Sequence, residues 1–257
     1  MKNTPKTLLL SVLSFLAQIF VHRPFVGILM YHSVGDNPSW KHAISKESFE
    51  QQMAYLAKHF SVVPLEDIVS YSKGEKNFSH QTVAITFDDI YRDTRENALP
   101  ILSKYSFSAA LFLTTDLFST EYFAGTERPS VDDIIFLSQQ PHITIGSHTH
   151  THPHLDQMTY EEAIGDIEKS KYEIQKLTGN MCRYFSYPYG RRTKQIQDSL
   201  NSLGFEAACA VRPKGVSQKE NIFALPRIGI DQGVTLPIFK SYLSHGLTLY
   251  YRIRHIL

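Results

Sequence analysis

Short apolar runs recur along the chain, each bounded by turn-forming or charged residues: Val26 to Tyr31, Val83 to Phe87, Ala109 to Leu113, Ile143 to Ile145, Phe205 to Val211 and Ile222 to Leu225. They are continuous rather than alternating, the pattern of strands buried on both faces of a parallel sheet. Helical spacing appears between them. Ser45 stands as N-cap to a segment with Phe49, Met53, Leu56 and Phe60 on one face. Thr159, with Glu162 three residues on, forms a capping box. It opens a helix that buries Ala163, Ile164, Ile167, Ile174 and Leu177, and Gly179 stops it. Such alternation predicts an α/β fold of βα units around a parallel sheet or barrel. Its chemistry belongs in the loops at the carboxyl ends of the strands. With no internal repeat or long linker, a single domain is the simplest organisation.

The two ends differ from this pattern. Lys2 and Lys6 precede an apolar run from Leu8 to Val21, broken only by Ser11, Ser14 and Gln18. A signal peptide would close on a small-residue cleavage site, which Phe20-Val21-His22-Arg23 is not. The run is shorter than the ~20 residues that span a bilayer. It fits equally a helix in the membrane interface or one packed on the barrel. Near the other end, Tyr242, Leu243, Leu247, Leu249, Tyr250, Tyr251, Ile253 and Ile256 interleave with Lys240, Arg252, Arg254 and His255. The expected division is therefore an apolar segment 1–24, whether anchor, signal or capping helix, a catalytic barrel 25–245, and a basic amphipathic tail 246–257. Peripheral membrane contact, at the cell envelope or inner-membrane periphery, is the matching expectation.

Charge narrows the function. Across 257 residues, 26 Lys and Arg nearly cancel 25 Asp and Glu, so no global field recruits nucleic acid. Cys182 and Cys209 form no CxxC and are expected as unpaired thiols.

Four strand ends carry candidate chemistry. Thr86-Phe-Asp88-Asp89 ends one run with two adjacent carboxylates, which need a cation between or beside them if buried; a helix N-cap is the plainer role for such residues. After the run at Ile143 comes Ser147-His148-Thr-His150-Thr-His152-Pro-His154. His148 and His152, four apart, can present both imidazoles to one ion, and residue 149 is Thr, so a base must come from elsewhere. Two histidines and a carboxylate leave coordination positions open for water and substrate. His150 and His154 read as outer or surface groups. Phe185-Ser-Tyr187-Pro188-Tyr189-Gly190 forms a rigid turn whose N–H groups can hold an oxyanion, or simply a turn. His32, in Leu29-Met-Tyr-His, ends the first strand, where it is either a core polar group or a general acid.

Together these segments resemble the polysaccharide deacetylases with a NodB homology domain, carbohydrate esterase family four. Thr86-Phe-Asp-Asp89 is similar to the family's first motif, Ser147-His-Thr-His-Thr-His152 to its second, and Phe185-Ser-Tyr-Pro-Tyr-Gly190 to its third. The resemblance implies a distorted (β/α)7-type barrel in which Asp88 is the catalytic base and Asp89, His148 and His152 bind a divalent metal ion, expected to be Zn²⁺. Tyr189 would donate its backbone N–H to the oxyanion, with Tyr187, Pro188 and Trp40 around an N-acetylated glycan. Tyr122 and Phe123 could also stack on a sugar, but read first as packing residues. Removal of N-acetyl groups from N-acetylglucosamine-type sugars of a polysaccharide is the implied activity. Alternatives are a deacylase or deformylase of a lipid-linked sugar, or a non-catalytic carbohydrate-binding protein. Three departures stand out. Ile90 replaces the Gly that usually follows the Asp pair. Ser186 stands where an Arg usually pairs with the base, so the base is expected to lack that partner. The third concerns the acid: Leu243-Ser-His245 keeps the Leu-x-His spacing near the C-terminus, but the resemblance to the poly-N-acetylglucosamine deacetylase branch, with its permuted motif order, makes His32 the expected acid.

Overall fold

A computed structural model of the chain describes residues 9–10, 12–14, 20–37, 39–116 and 126–254. Tyr122 and Phe123 lie outside the described residues, as do residues 1–8, 15–19 and 255–257. The strands are β1 (Val26–Tyr31), β2 (Ser33–Val34), β3 (Ala43–Ile44), β4 (Ser61–Val62), β5 (Thr82–Asp89), β6 (Ala109–Leu113), β7 (Ile143–Ser147), β8 (Tyr184–Ser186), β9 (Ala207–Cys209) and β10 (Ile228–Gly229).

The main sheet runs β10-β1-β5-β6-β7-β8-β9, with β4 added to the start of β5, and every pairing in it is parallel. Helices return the chain between strands, as parallel neighbours require. Strand alternation sends Leu29, Val83, Ile85, Phe87 and Leu111 to the helix side, against Phe49, Ile101, Ile134 and Ile167. Ile28, Ala84, Ala110 and Phe112 fill the inner face. The predicted capping signals act as expected. Ser45 accepts from the Ser48 N–H at 3.2 Å, the Thr159–Glu162 box is closed in both directions, and Gly179 ends its helix at φ 70°.

The run Ile222 to Leu225 is not a strand. Asn221 accepts from the Phe223 N–H at 2.9 Å and starts a 3₁₀ turn over Ile222–Ala224. Pro226, which has no N–H to donate, then limits sheet pairing. Residues 225–229 close the barrel: Leu225 bridges to Cys209 at the end of β9, and Ile228 pairs with Leu29 of β1. Two sheet edges are thereby joined by one segment, and Arg227 sits in its middle. Both cysteines are buried free thiols, and burial pushes each pKa up to about 12.

Candidate metal centre

β5 runs two residues beyond its apolar pattern, so Asp88 and Asp89 belong to the strand itself. In a regular strand their side chains would diverge. Asp89 instead has φ 70° and Ile90 φ 56°, which breaks the alternation. Both carboxylates consequently lie beside His148: its Nε2 is 3.8 Å from Asp88 Oδ2 and 3.7 Å from Asp89 Oδ1. His152 Nε2 is 3.3 Å from the same Asp89 oxygen.

The imidazoles are oriented by the backbone around them. His148 Nδ1 lies 2.8 Å from the Ser186 carbonyl, an acceptor only, so Nδ1 donates and Nε2 keeps its lone pair for a ligand. Thr149 and His152 adopt φ 70° and 56°, and the Thr149 hydroxyl accepts from the His152 N–H at 3.0 Å. Asp166 reaches up from the long helix Tyr160–Thr178 and accepts from the His150 N–H at 2.7 Å and the Thr151 N–H at 3.1 Å. Among the described residues, five of the seven non-glycine residues with positive φ, namely Asp89, Ile90, Thr149, His152 and Tyr189, are in these loops. Each costs on the order of 1–3 kcal/mol unless its surroundings hold it, and such strain clusters where function sets geometry.

Asp89, His148 and His152 offer ligand atoms all within 4.8 Å of one another. A tetrahedral ion with bonds of ~2.0–2.2 Å needs ligand atoms roughly 3.3–3.6 Å apart. The Asp89–His152 separation of 3.3 Å meets that requirement, and the Asp89–His148 separation of 3.7 Å exceeds it by 0.1 Å. Burial pulls the His152 pKa down to about 4, so its imidazole is neutral, the form that ligates. Tyr91 donates its hydroxyl to the other oxygen of Asp89 at 3.0 Å and fixes the carboxylate's rotation.

Asp88 does not lack a partner. Arg227, fully buried, clasps it with Nη1 and Nη2 each 2.6 Å from a carboxylate oxygen. This corrects the expectation drawn from Ser186. The cation arrives from the barrel-closing segment, and Ser186 accepts from Arg227 at 2.8 Å while donating to Asp88 at 3.3 Å. Burial alone would raise the Asp88 pKa, but the Arg227 charge overrides it and holds the carboxyl well below the ordinary range. A sequence signal exists: an Arg inside Leu225-Pro-Arg-Ile-Gly-Ile, an otherwise apolar stretch, requires a buried anion.

A cavity of about 270 Å³ opens over these groups, lined also by Met30, His32, Trp40, His42, Tyr189 and Val211. His32 stacks on His42 with ring centroids 4.7 Å apart, and its buried Nδ1 has no hydrogen-bond partner among the described residues. Burial lowers the His32 pKa, outweighing the opposite pull of Asp89 and Asp88. His42, absent from the sequence expectations, is likewise lowered by burial, to about 4. Trp40 is 8% exposed and packs on Tyr91 while presenting its remaining surface to the cavity. Tyr189, at φ 57°, stacks on His154 at 4.2 Å and stands at the cavity mouth. Gly190, at φ 70°, passes so close to Val211 that any Cβ would lie 2.8 Å from it.

Tyr187 and Pro188 are placed differently from expectation. Both are buried, and the Tyr187 hydroxyl donates to the Phe223 carbonyl at 2.9 Å, so the ring packs in the core beside Phe185. The strand alternation that sends Ser186 inward sends Tyr187 outward. His150 also turns away from the cluster, to Thr115 and Glu173.

The sequence model of the polysaccharide deacetylase family matches residues 75–208, just over half the chain. A poly-beta-1,6-N-acetyl-D-glucosamine N-deacetylase of Staphylococcus aureus is 26% identical over 227 residues, covering 85% of this chain and 78% of its own. Among solved structures, the Streptococcus pyogenes deacetylase PplD, in complex with acetate, superposes with a TM-score of 0.75 at 20% identity, over 86% of this chain and 99% of its own. IcaB from Ammonifex degensii gives 0.75 at 22% identity, over 87% and 97%. These two likenesses concern the fold. His32 and Arg227 fall outside the family-matched segment, whereas both carboxylates and the two histidines fall inside it.

Proposed function

Because the chain belongs to the polysaccharide deacetylase family with its NodB-type barrel, and is thereby a metal-dependent deacetylase of N-acetylated sugars, we propose that Asp89, His148 and His152 hold Zn²⁺ and that Asp88 is the general base. The observation that carries this is the pairing of an open three-ligand cluster with a second carboxylate that Arg227 keeps ionised. An ion held by these ligands supplies Lewis-acid polarisation of an amide carbonyl and a lowered pKa for water.

The chain's own groups do the rest. Asp88, next to the ligand cluster, accepts the proton of the attacking water. The Tyr189 N–H, in the turn before Gly190, donates to the oxygen that gains negative charge. His32, across the cavity, protonates the departing amine, leaving acetate and a free amino sugar. Trp40 and the exposed Tyr189 ring offer apolar faces to a pyranose. The substrate proposed is an N-acetylglucosamine-type unit of a polysaccharide, the class that the Staphylococcus aureus relative's name specifies for that protein.

The test is acetate release from a panel of N-acetylated oligosaccharides, before and after chelation, with Zn²⁺, Mn²⁺ or Mg²⁺ returned singly. Release that stops on chelation and resumes with Zn²⁺ is expected. Undiminished release from exhaustively chelated protein would overturn the proposal.

A further inference from the structure

The end of the barrel away from the metal centre carries a second feature, built from both chain termini. Residues 9–10 and 12–14 are helical and lie against the helix His245–Arg254 and the turn before it. Leu10 and Leu13 join the core with Leu247 and Tyr250. The Ser14 hydroxyl accepts from Ser244 at 2.8 Å and donates to the Ser241 carbonyl at 3.2 Å. Gly246 lets the backbones touch, since a Cβ there would fall 2.4 Å from the Ser14 nitrogen.

Apolar side chains stand exposed on these segments. Leu9, Val12 and Phe20 are 44%, 48% and 74% exposed, and Leu249 and Ile253, one turn apart, are 40% and 37% exposed. Among the described residues, five of the eleven exposed large hydrophobic side chains thus belong to these two short segments. Beside them a polar cavity of about 280 Å³ is lined by Arg23, His59, Lys240 and His245. Neither Arg23 nor Lys240 has a carboxylate partner among the described residues; Lys240 lies over the Tyr55 ring at 5.0 Å. Charge is segregated in the sequence as well. Residues 1–24 and 236–257 hold six Lys and Arg and no Asp or Glu, so the remainder carries a net −5 within a chain of +1.

We propose that this end is a peripheral membrane-docking face whose occupant is an anionic phospholipid surface, with the basic cavity taking a headgroup phosphate and the exposed Leu9, Val12, Phe20, Leu249 and Ile253 entering the interface. Apolar side chains with adjacent cations and no acidic residue are what such a surface selects. Among the described residues no helix is long and apolar enough to cross a membrane, and the proposed contact is an interfacial one. A cell-envelope location at the membrane periphery follows from it. The cavity lies at the strand starts, beside Phe25 before β1 and Gln81 before β5, whereas the metal ligands stand at or just after the strand ends. A protein docked this way turns its metal cavity away from the bilayer, towards a polymer extending from it.

The test is flotation of the full-length protein with vesicles of phosphatidylcholine alone or mixed with phosphatidylglycerol, without substrate, so that it reads independently of deacetylase activity. Binding to the mixed vesicles only, weakened by salt, is expected. Arg23→Gln with Lys240→Gln should reduce partitioning by about five-fold per cation removed, and Val12→Ser with Phe20→Ser should reduce it at any salt concentration. Unchanged melting temperatures show that the variants fold. Equal binding to both vesicle types, no binding to either, or lipid-independent self-association that buries these helices would each overturn the proposal.

Discussion

Tyr91 donates its hydroxyl to Asp89 Oδ2 at 3.0 Å while the other oxygen, Oδ1, faces His148 and His152. The hydrogen bond at Oδ2 fixes the carboxylate's rotation, so its ligand oxygen is aimed at the histidines before any ion arrives. Removing the outer hydrogen bond should therefore act on metal binding and not on the chemical step. Tyr91→Phe is expected to weaken metal affinity about 10–100-fold, the usual effect of losing such a partner. At saturating metal, kcat should be close to wild type. Competition against a chromogenic chelator measures the first, acetate release the second.

The two carboxylates should separate by substitution. Asp88→Asn is expected to retain metal and lose turnover by on the order of 10²–10⁴. Asp89→Asn should lose metal as well. Elemental analysis of both purified variants checks this; equal metal loss from each would refute the division.

Arg227→Met removes the counter-charge from a buried carboxylate. Burial then dominates and raises the Asp88 pKa, so the acid limb of kcat/KM should move to higher pH. Breaking a buried ion pair from one side costs about 3–5 kcal/mol. The wild-type pair stabilises the fold at pH values above the ordinary carboxylate range, and that contribution fades as pH falls towards the depressed pKa of Asp88. In the variant the folded pKa is raised instead, so its deficit should be largest at neutral pH and shrink on acidification. Denaturant unfolding across pH reads the sign directly.

His32 has a lowered pKa, so its protonated form gains population as pH falls. If that form supplies the proton to the leaving amine, the ratio of wild-type to His32→Ala turnover should rise from alkaline to acidic pH, with metal content unchanged. A constant ratio accompanied by a lower melting temperature would assign His32 to the core.

Local signals in the sequence locate much of this site. Asp88, Asp89, His148 and His152 end or follow apolar runs whose strand character needs only neighbouring residues, and the caps at Ser45 and Thr159 depend on three-residue spacings. Arg227 is harder to place, because its partner is far away in sequence and a local pattern assigns no particular anion to it. Tyr187 departs from expectation for a related reason: a motif gives residue order, while the face on which each side chain lies depends on strand register. Ile90 is legible only in the structure. Its φ of 56° is strained for a β-branched residue, yet its side chain is 1% exposed in the core, and that burial holds the turn which swings Asp89 towards the histidines.

Barrel closure and the charge on Asp88 depend on one segment. Residues 225–229 bridge β9 to β1 and carry the guanidinium that clasps the carboxylate. The three ligand side chains Asp89, His148 and His152 stand on other elements. A loosened seam between β9 and β1 should therefore take the counter-charge from the proposed base before it disturbs the ligand set.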